Sequence, residues 1–181
     1  MIVYMILFWT VLPIAVTLAI VFLCLWLSGR KKKIEQKTEI SYYQDLLYAI
    51  GHEGCYALSL VYVASKFLGR TLDNVESVYK GIEEGMIYFN PDDVEDSYNL
   101  YVNDAEKFLQ LLTSCKWKVT KETTLKAKDY GVSAYVIQEF FYNGLTHFEP
   151  VGVKLMKNSV CRENGIVRSL RVCEAVNCLG G

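Results

Sequence analysis

The chain has no excess of charge of either sign. Nineteen basic and 20 acidic residues leave a net charge of −1 over 181 residues. A dedicated nucleic-acid binder carries a strong basic surplus, so that class is set aside. Histidine is scarce: His52 and His147 are the only two, and no C-x-x-C occurs among the six cysteines. This argues against a zinc site of ordinary pattern, and neither metal nor cofactor is expected. Glu83-Glu84 and Asp92-Asp93 read as solvated loop charges. Internal repeats and low-complexity tracts are missing too. The length suits one compact domain with a short extra element.

Charge is also missing from Ile2 to Leu27, where an apolar run is broken only by Thr10, Pro13 and Thr17. About 20 such residues cross a bilayer core as a helix. Tyr4, Trp9 and Trp26 suit its interfaces. No basic stretch precedes the run and no small-x-small site follows it, so a cleaved signal peptide fits poorly. Residues 1–28 are therefore expected to be a transmembrane anchor and 29–39 a basic juxtamembrane linker. Arg30 to Lys33 place four cations after the span and none before it. By the positive-inside bias, the protein is single-pass with its C-terminal domain in the cytoplasm. The lipid bilayer is then a partner of the N-terminal helix, and the cation cluster suits anionic lipid. Thiols on that side stay reduced. Pairing of Cys173 or Cys178 with another thiol is expected only if the topology is reversed.

Residues 40–181 read as the folded domain. "ISYYQDLLYAI" fits a helix or an extended lead-in. Cys55 to Phe67 is helical by pattern, and Gly69 stands where a C-cap belongs. A second helix follows, with Leu72, Val75, Val78 and Ile82 on one face and Gly85 as its stop. "MIYFNPDDVEDSYNLY" reads as loop, with a turn at Asn90-Pro91. Asn103 with Glu106 has the form of a capping box for the helix after it. "WKVTKET" is a candidate strand. Asn143-Gly144 predicts a hairpin of Val132–Tyr142 with Leu145–Leu155, and Asn164-Gly165 predicts another. Helices first and antiparallel strands after make the class α+β.

Cys55 is the candidate for chemistry. A helix N-terminus favours a thiolate and offers free N–H groups to an oxyanion. A thiol nucleophile needs a partner that accepts and returns a proton near neutral pH. His147, just past the predicted tight turn, can point across a cleft from a strand end. A buried, inert cysteine and a packed histidine are the plainer reading of the same residues.

The blocks "EGCYALSLVYVASKF", "GIEEGMIYFN", "YVNDAEKFL", "VIQEFFYNGLTHF" and "NSVCRENGIVRSLRV" resemble, in order, those of a group of short bacterial and phage proteins catalogued as a domain of unknown function. That group is similar to papain-like cysteine peptidases of the bacteriocin-leader-processing type. The resemblance runs from about Ile40 to Val176. It implies a papain-like α+β domain in which Cys55 is the nucleophile and His147 the base. Two departures stand out. Papain-like enzymes carry an oxyanion Gln six residues before the cysteine, where this chain has Ala49. Gln44 is out of register, and His52 is a candidate substitute donor. After the histidine no Asp follows to orient the ring. Asn158 matches that role by position, whereas Glu149 stands too close along the strand to be an obvious orienter.

Two functions follow as expectations. One is a membrane-anchored cysteine peptidase or amidase that cleaves a peptide or isopeptide bond. The other is a tethered pseudoenzyme that presents the same cleft to a peptide or protein partner.

Overall fold

The computed structural model describes residues 20–31, 39, 41–89, 100–123, 134–155 and 160–178. The chain divides into Met1–Gln44 and Asp45–Gly181. In the first unit residues 20–31 are helical, and Phe22 and Leu25 are exposed. The Arg30 guanidinium lies 4.1 Å from the centre of the Trp26 ring. Residues 2–19 of the expected span, and most of the expected linker, fall outside the described residues. Among the described residues no single helix is long and apolar enough to cross a membrane. The helices Ser41–His52 and Cys55–Leu68, bent by 81°, pass together on length and composition, but the Cys55–Leu68 helix is core.

The second unit is α+β, as the order of elements predicts. Of "ISYYQDLLYAI", residues 41–50 are helical, within Ser41–His52. Leu46, Ala49 and Ile50 are buried while Leu47 and Tyr48 are exposed, which is the one-sided pattern of an amphipathic helix. The Cys55–Leu68 helix is buried on nearly every side. Gly69 closes it at φ 65°, a conformation glycine adopts without the steric cost of a Cβ. The helix Asn74–Glu83 is capped by Asp73, whose side chain accepts from the Glu76 N–H.

Two short strands, β1 (Ile87–Tyr88) and β2 (Tyr101–Val102), pair antiparallel inside the stretch read as loop. The turn expected at Asn90-Pro91 lies outside the described residues. The helix Ala105–Thr113 starts one residue later than the capping-box reading has it. Asp104 is its cap and accepts from the Lys107 N–H. Asn103 instead gives its N–H to Met86 O. Glu106 does not reach back either: its carboxylate accepts from the Val119 N–H at 2.9 Å, tying helix to sheet.

The main sheet has the order β3-β6-β4-β5, all antiparallel. Its strands are β3 (Cys115–Glu122), β4 (Ala134–Tyr142), β5 (Leu145–Pro150) and β6 (Ile166–Cys178). Asn143 and Gly144, both at positive φ, form the two-residue turn between β4 and β5. Both residue types tolerate that region, which suits the strand twist. The hairpin is shorter than predicted, because Val153 N–H donates to Pro150 O and Gly152 takes φ 75°. Asn164-Gly165 is not a hairpin. Val160–Asn164 is a short helix, and Gly165 N–H returns to Cys161 O. A Cβ on Gly165 would stand 2.2 Å from that oxygen, so the glycine serves a close backbone approach, not a β-turn.

At the far end of the sheet Cys115 and Cys178 oppose each other on β3 and β6 with Cα atoms 4.2 Å apart, and their sulfurs form a disulfide. This corrects the expectation of reduced thiols. Cross-strand partners are brought together by register, which spacing alone does not reveal.

On β4, Glu139 is buried with charged and polar company. Arg168, Ser169 and Arg171 all reach its carboxylate, with Arg168 Nε at 2.9 Å and Arg171 Nη2 at 3.2 Å. The β4–β6 register skips Arg168 between Glu139↔Ser169 and Phe140↔Val167. That bulge lets two successive residues of β6 meet one acid. Burial opposes the charge on Glu139. The hydrogen bonds from Ser169 and Arg168 and the Arg171 charge outweigh it, so its pKa is lowered.

Two outcomes are expected. The disulfide closes a separation of 63 residues, and in the chain-entropy account reduction removes about 4 kcal/mol. Urea unfolding of the detergent-solubilised chain with and without reductant measures this, and Cys115→Ser should abolish the difference. Glu139 releases its proton more readily folded than unfolded, where its pKa is about 4.3. Its stabilisation is therefore present above that value and is lost as pH falls through and below it. The stability gap between wild type and Glu139→Gln should shrink between pH 6 and pH 3.

Candidate functional site

Cys55 is the first residue of its helix, after Gly54. A Cβ on Gly54 would stand 2.7 Å from Ile50 O, so a side chain there would push the two helices apart and move Cys55. Gly54 provides no side-chain cap. The N–H groups of Cys55 and Tyr56 act on the thiol.

The helix runs against β5, the sheet's edge strand. The Phe148 N–H also acts on the Cys55 thiol. One turn along, the Ser59 hydroxyl lies 2.8 Å from Cys55 O and 3.2 Å from Phe148 O, donating between the two. Cys55 and Ser59 thus meet the N–H and the C=O of a single edge residue. The Phe148 ring packs on Tyr56 at 4.6 Å, and Arg171 lies 5.5 Å from its centre.

His147 directly precedes Phe148 and is buried. Its Nε2 lies 3.2 Å from Glu149 Oε1, and the other Glu149 oxygen lies 2.6 Å from Arg162 Nη1. Glu149 is buried as well. These are close contacts, but His147 Nε2 and both Glu149 oxygens have no partner with hydrogen-bond alignment among the described residues. Phe140 stands opposite His147 on β4, with its ring centre 6.4 Å away.

The structure therefore brings Cys55 to the residue next to His147. It also brings Glu149, set aside on sequence grounds, to the ring itself. Residues i and i+2 of a strand share a face, and that alternation was the available signal. Asn158 lies outside the described residues. Ala49 is fully buried, so its position faces core and offers no donor to a cleft. His52 is exposed on its helix. Its Nδ1 lies 3.0 Å from Tyr48 O and its ring stacks on Tyr48 at 4.0 Å. Facing a carbonyl, Nδ1 carries the proton, which leaves Nε2 an acceptor in the neutral ring.

No family model, curated protein or solved structure matches the chain. Its chemistry has to be read from its own geometry.

Burial dominates the thiol. It pushes the pKa of Cys55 up to about 11, against the lowering influence of the Phe148, Tyr56 and Cys55 amides. This reverses the expectation of a depressed value. Helix-end amides lower a thiol pKa when water still reaches it, and here the same packing that aims the amides removes the water. Among the described residues no group of three His, Cys, Asp or Glu side chains is placed to hold a metal. A groove of about 630 Å³ lies further along the helix, lined by Tyr62, Lys66, Tyr135, Gln138 and Val151. Tyr62 is two turns from Cys55, about 10 Å at 1.5 Å per residue.

With a pKa of about 11, Cys55 holds roughly 300-fold less thiolate at pH 7 than an ordinary exposed thiol near 8.5. Iodoacetamide should label Cys55 only slowly at pH 7. The Cys55 rate should keep rising with pH beyond 9. Peptide mapping after timed alkylation at several pH values checks this.

Proposed function

We propose that the chain is a membrane-anchored papain-like thiol hydrolase acting on a peptide or isopeptide bond. The observation that carries this reading is the seat of Cys55 on the Phe148 backbone, one residue from a buried histidine paired with a carboxylate. The resemblance of the GCY and THF blocks supports it. With the thiol neutral at rest, His147 acts as a general base during attack, not as half of a preformed ion pair. The thiol proton passes to the ring as sulfur bonds to the substrate carbonyl carbon. Amides of the helix's first turn receive the oxyanion, in place of the missing glutamine. The ring then protonates the leaving amine, and water releases the acyl group from the thioester. The groove along the helix suits the flanking part of an extended substrate.

The high thiol pKa favours a second reading, a tethered binding module with the same cleft and no turnover. On location, the basic flank argues for the cytoplasmic face, whereas the Cys115–Cys178 disulfide belongs on an oxidising one. We propose the anchor itself on the apolar run. An impermeant maleimide applied to intact cells after reduction reports which face carries the domain.

Acyl transfer from p-nitrophenyl acetate tests the chemistry in the detergent-solubilised chain. Cys55 should be the acylated residue by mass spectrometry, and His147→Ala should slow acylation at least about 100-fold, the usual scale of general-base assistance. Acylation at Cys55 that is indifferent to His147 would leave the binding module as the reading.

A further inference from the structure

We propose that Glu149, held by Arg162, is the positioning residue of His147, so that the orienting group sits on the histidine's own strand. This rests on the Cys–His reading above. Three observations converge on it. His147 and Glu149 share one face of β5, and the contact is made through Nε2 at 3.2 Å. With Nε2 turned to the carboxylate, Nδ1 is the ring nitrogen left for the thiol. Both side chains are buried, at 8% and 2% exposure, so Nε2 is shielded from bulk solvent and the carboxylate is the acceptor beside it.

A carboxylate buried this deeply needs a cation. Arg162 provides it from the short helix Val160–Asn164, at 2.6 Å from the second oxygen. Its charge is permanent, so the second carboxylate oxygen keeps a cationic partner. Arg162 Nη1 also lies 3.5 Å from Val153 O, beyond the turn that ends β5. Phe140 on β4, an apolar ring, stands with its centre 6.4 Å from that of His147. Glu139, the other buried acid of the hairpin, stands opposite Phe148 on the other face and is engaged by Arg168, Ser169 and Arg171.

The contact is short but not aligned in the resting chain. Hydrogen bonds of an empty site commonly tighten once substrate is bound, and this contact is expected to align then. Glu149 touches neither thiol nor substrate; it fixes the tautomer and the angle of the ring.

The test uses the full chain, 15N-labelled at histidine, with His52→Gln to assign the two rings. Nitrogen shifts of neutral His147 should report the Nε2–H tautomer. Glu149→Ala should give a mixture or the Nδ1–H form, and should slow Cys55 acylation 10- to 100-fold. Glu149→Gln, whose carbonyl oxygen still accepts, should keep Nε2–H and restore part of the rate. Arg162→Ala should move rate and tautomer the same way as Glu149→Ala. An Nδ1–H tautomer in the wild type, or a tautomer unmoved by Glu149→Ala, overturns the proposal. If Glu149→Ala does not fold, Glu149→Gln decides, since full loss of Nε2–H in that variant also overturns it. The hydrolase reading fails separately, when His147→Ala leaves Cys55 acylation unchanged while the tautomer still depends on Glu149.

Discussion

The site depends on how the edge of a sheet is closed. An edge strand leaves every second N–H and C=O without a strand partner. At Phe148 of β5 both groups are met by one helix: the N–H by the Cys55 thiol, the C=O by the Ser59 hydroxyl. Two residues four apart, one helical turn, grip one residue of the strand. That grip fixes the height of the helix along β5 and places Cys55 at the residue next to His147. It also removes water from the sulfur, which accounts for the thiol's reluctance to ionise.

Around that contact the hairpin carries two buried acids, one on each face. Glu139 stands opposite Phe148, and Glu149 opposite Gln138. Directly opposed residues share a face, and neighbours along a strand do not. Glu139 therefore lies on the Phe148 side and Glu149 on the His147 side. Each acid is matched by arginine, but from different elements. Glu139 draws Arg168 and Arg171 from β6, and that pairing ties the Phe148 face to the centre of the sheet. Glu149 draws Arg162 from a five-residue helix and shares itself with a ring. The first cluster is saturated and rigidifying. The second retains His147 and Glu149 atoms without an aligned partner among the described residues.

Local signals were legible where the chain itself decides the geometry. Gly69 and Asp73 act on their own helices, and Asn143-Gly144 needs only its own positive φ values. Cys55 at a helix start and His147 past a turn were readable for the same reason. What sequence hid was set across the sheet. Asn164-Gly165 has the same letters as a hairpin turn, yet Gly165 exists to pass close to Cys161 O and Phe141 O. Glu106 looked like half of a capping box until a strand amide claimed it. Ala49 in place of glutamine read as a missing donor, and burial shows that the position belongs to the core. The Cys115–Cys178 bridge depends on a β3–β6 register that contains its own bulge.

That bridge and the free thiol of Cys55 coexist for a physical reason. Exchange with a disulfide proceeds through thiolate, so a thiol that does not ionise does not exchange. Burial raises the pKa of Cys55 to about 11 and of Cys173 to about 12, and it raises Cys161 as well. Cys115 and Cys178 are paired at the end of the sheet, while the buried thiols stay outside the exchange. A chain with one disulfide can therefore keep a nucleophile reduced on an oxidising face, provided that sulfur is activated by a base only as substrate arrives. A sulfur held as resting thiolate would not have that protection. In the proposed hydrolase, the neutral thiol and the imidazole beside Glu149 would be two parts of one arrangement, with reactivity withheld until His147 takes the proton.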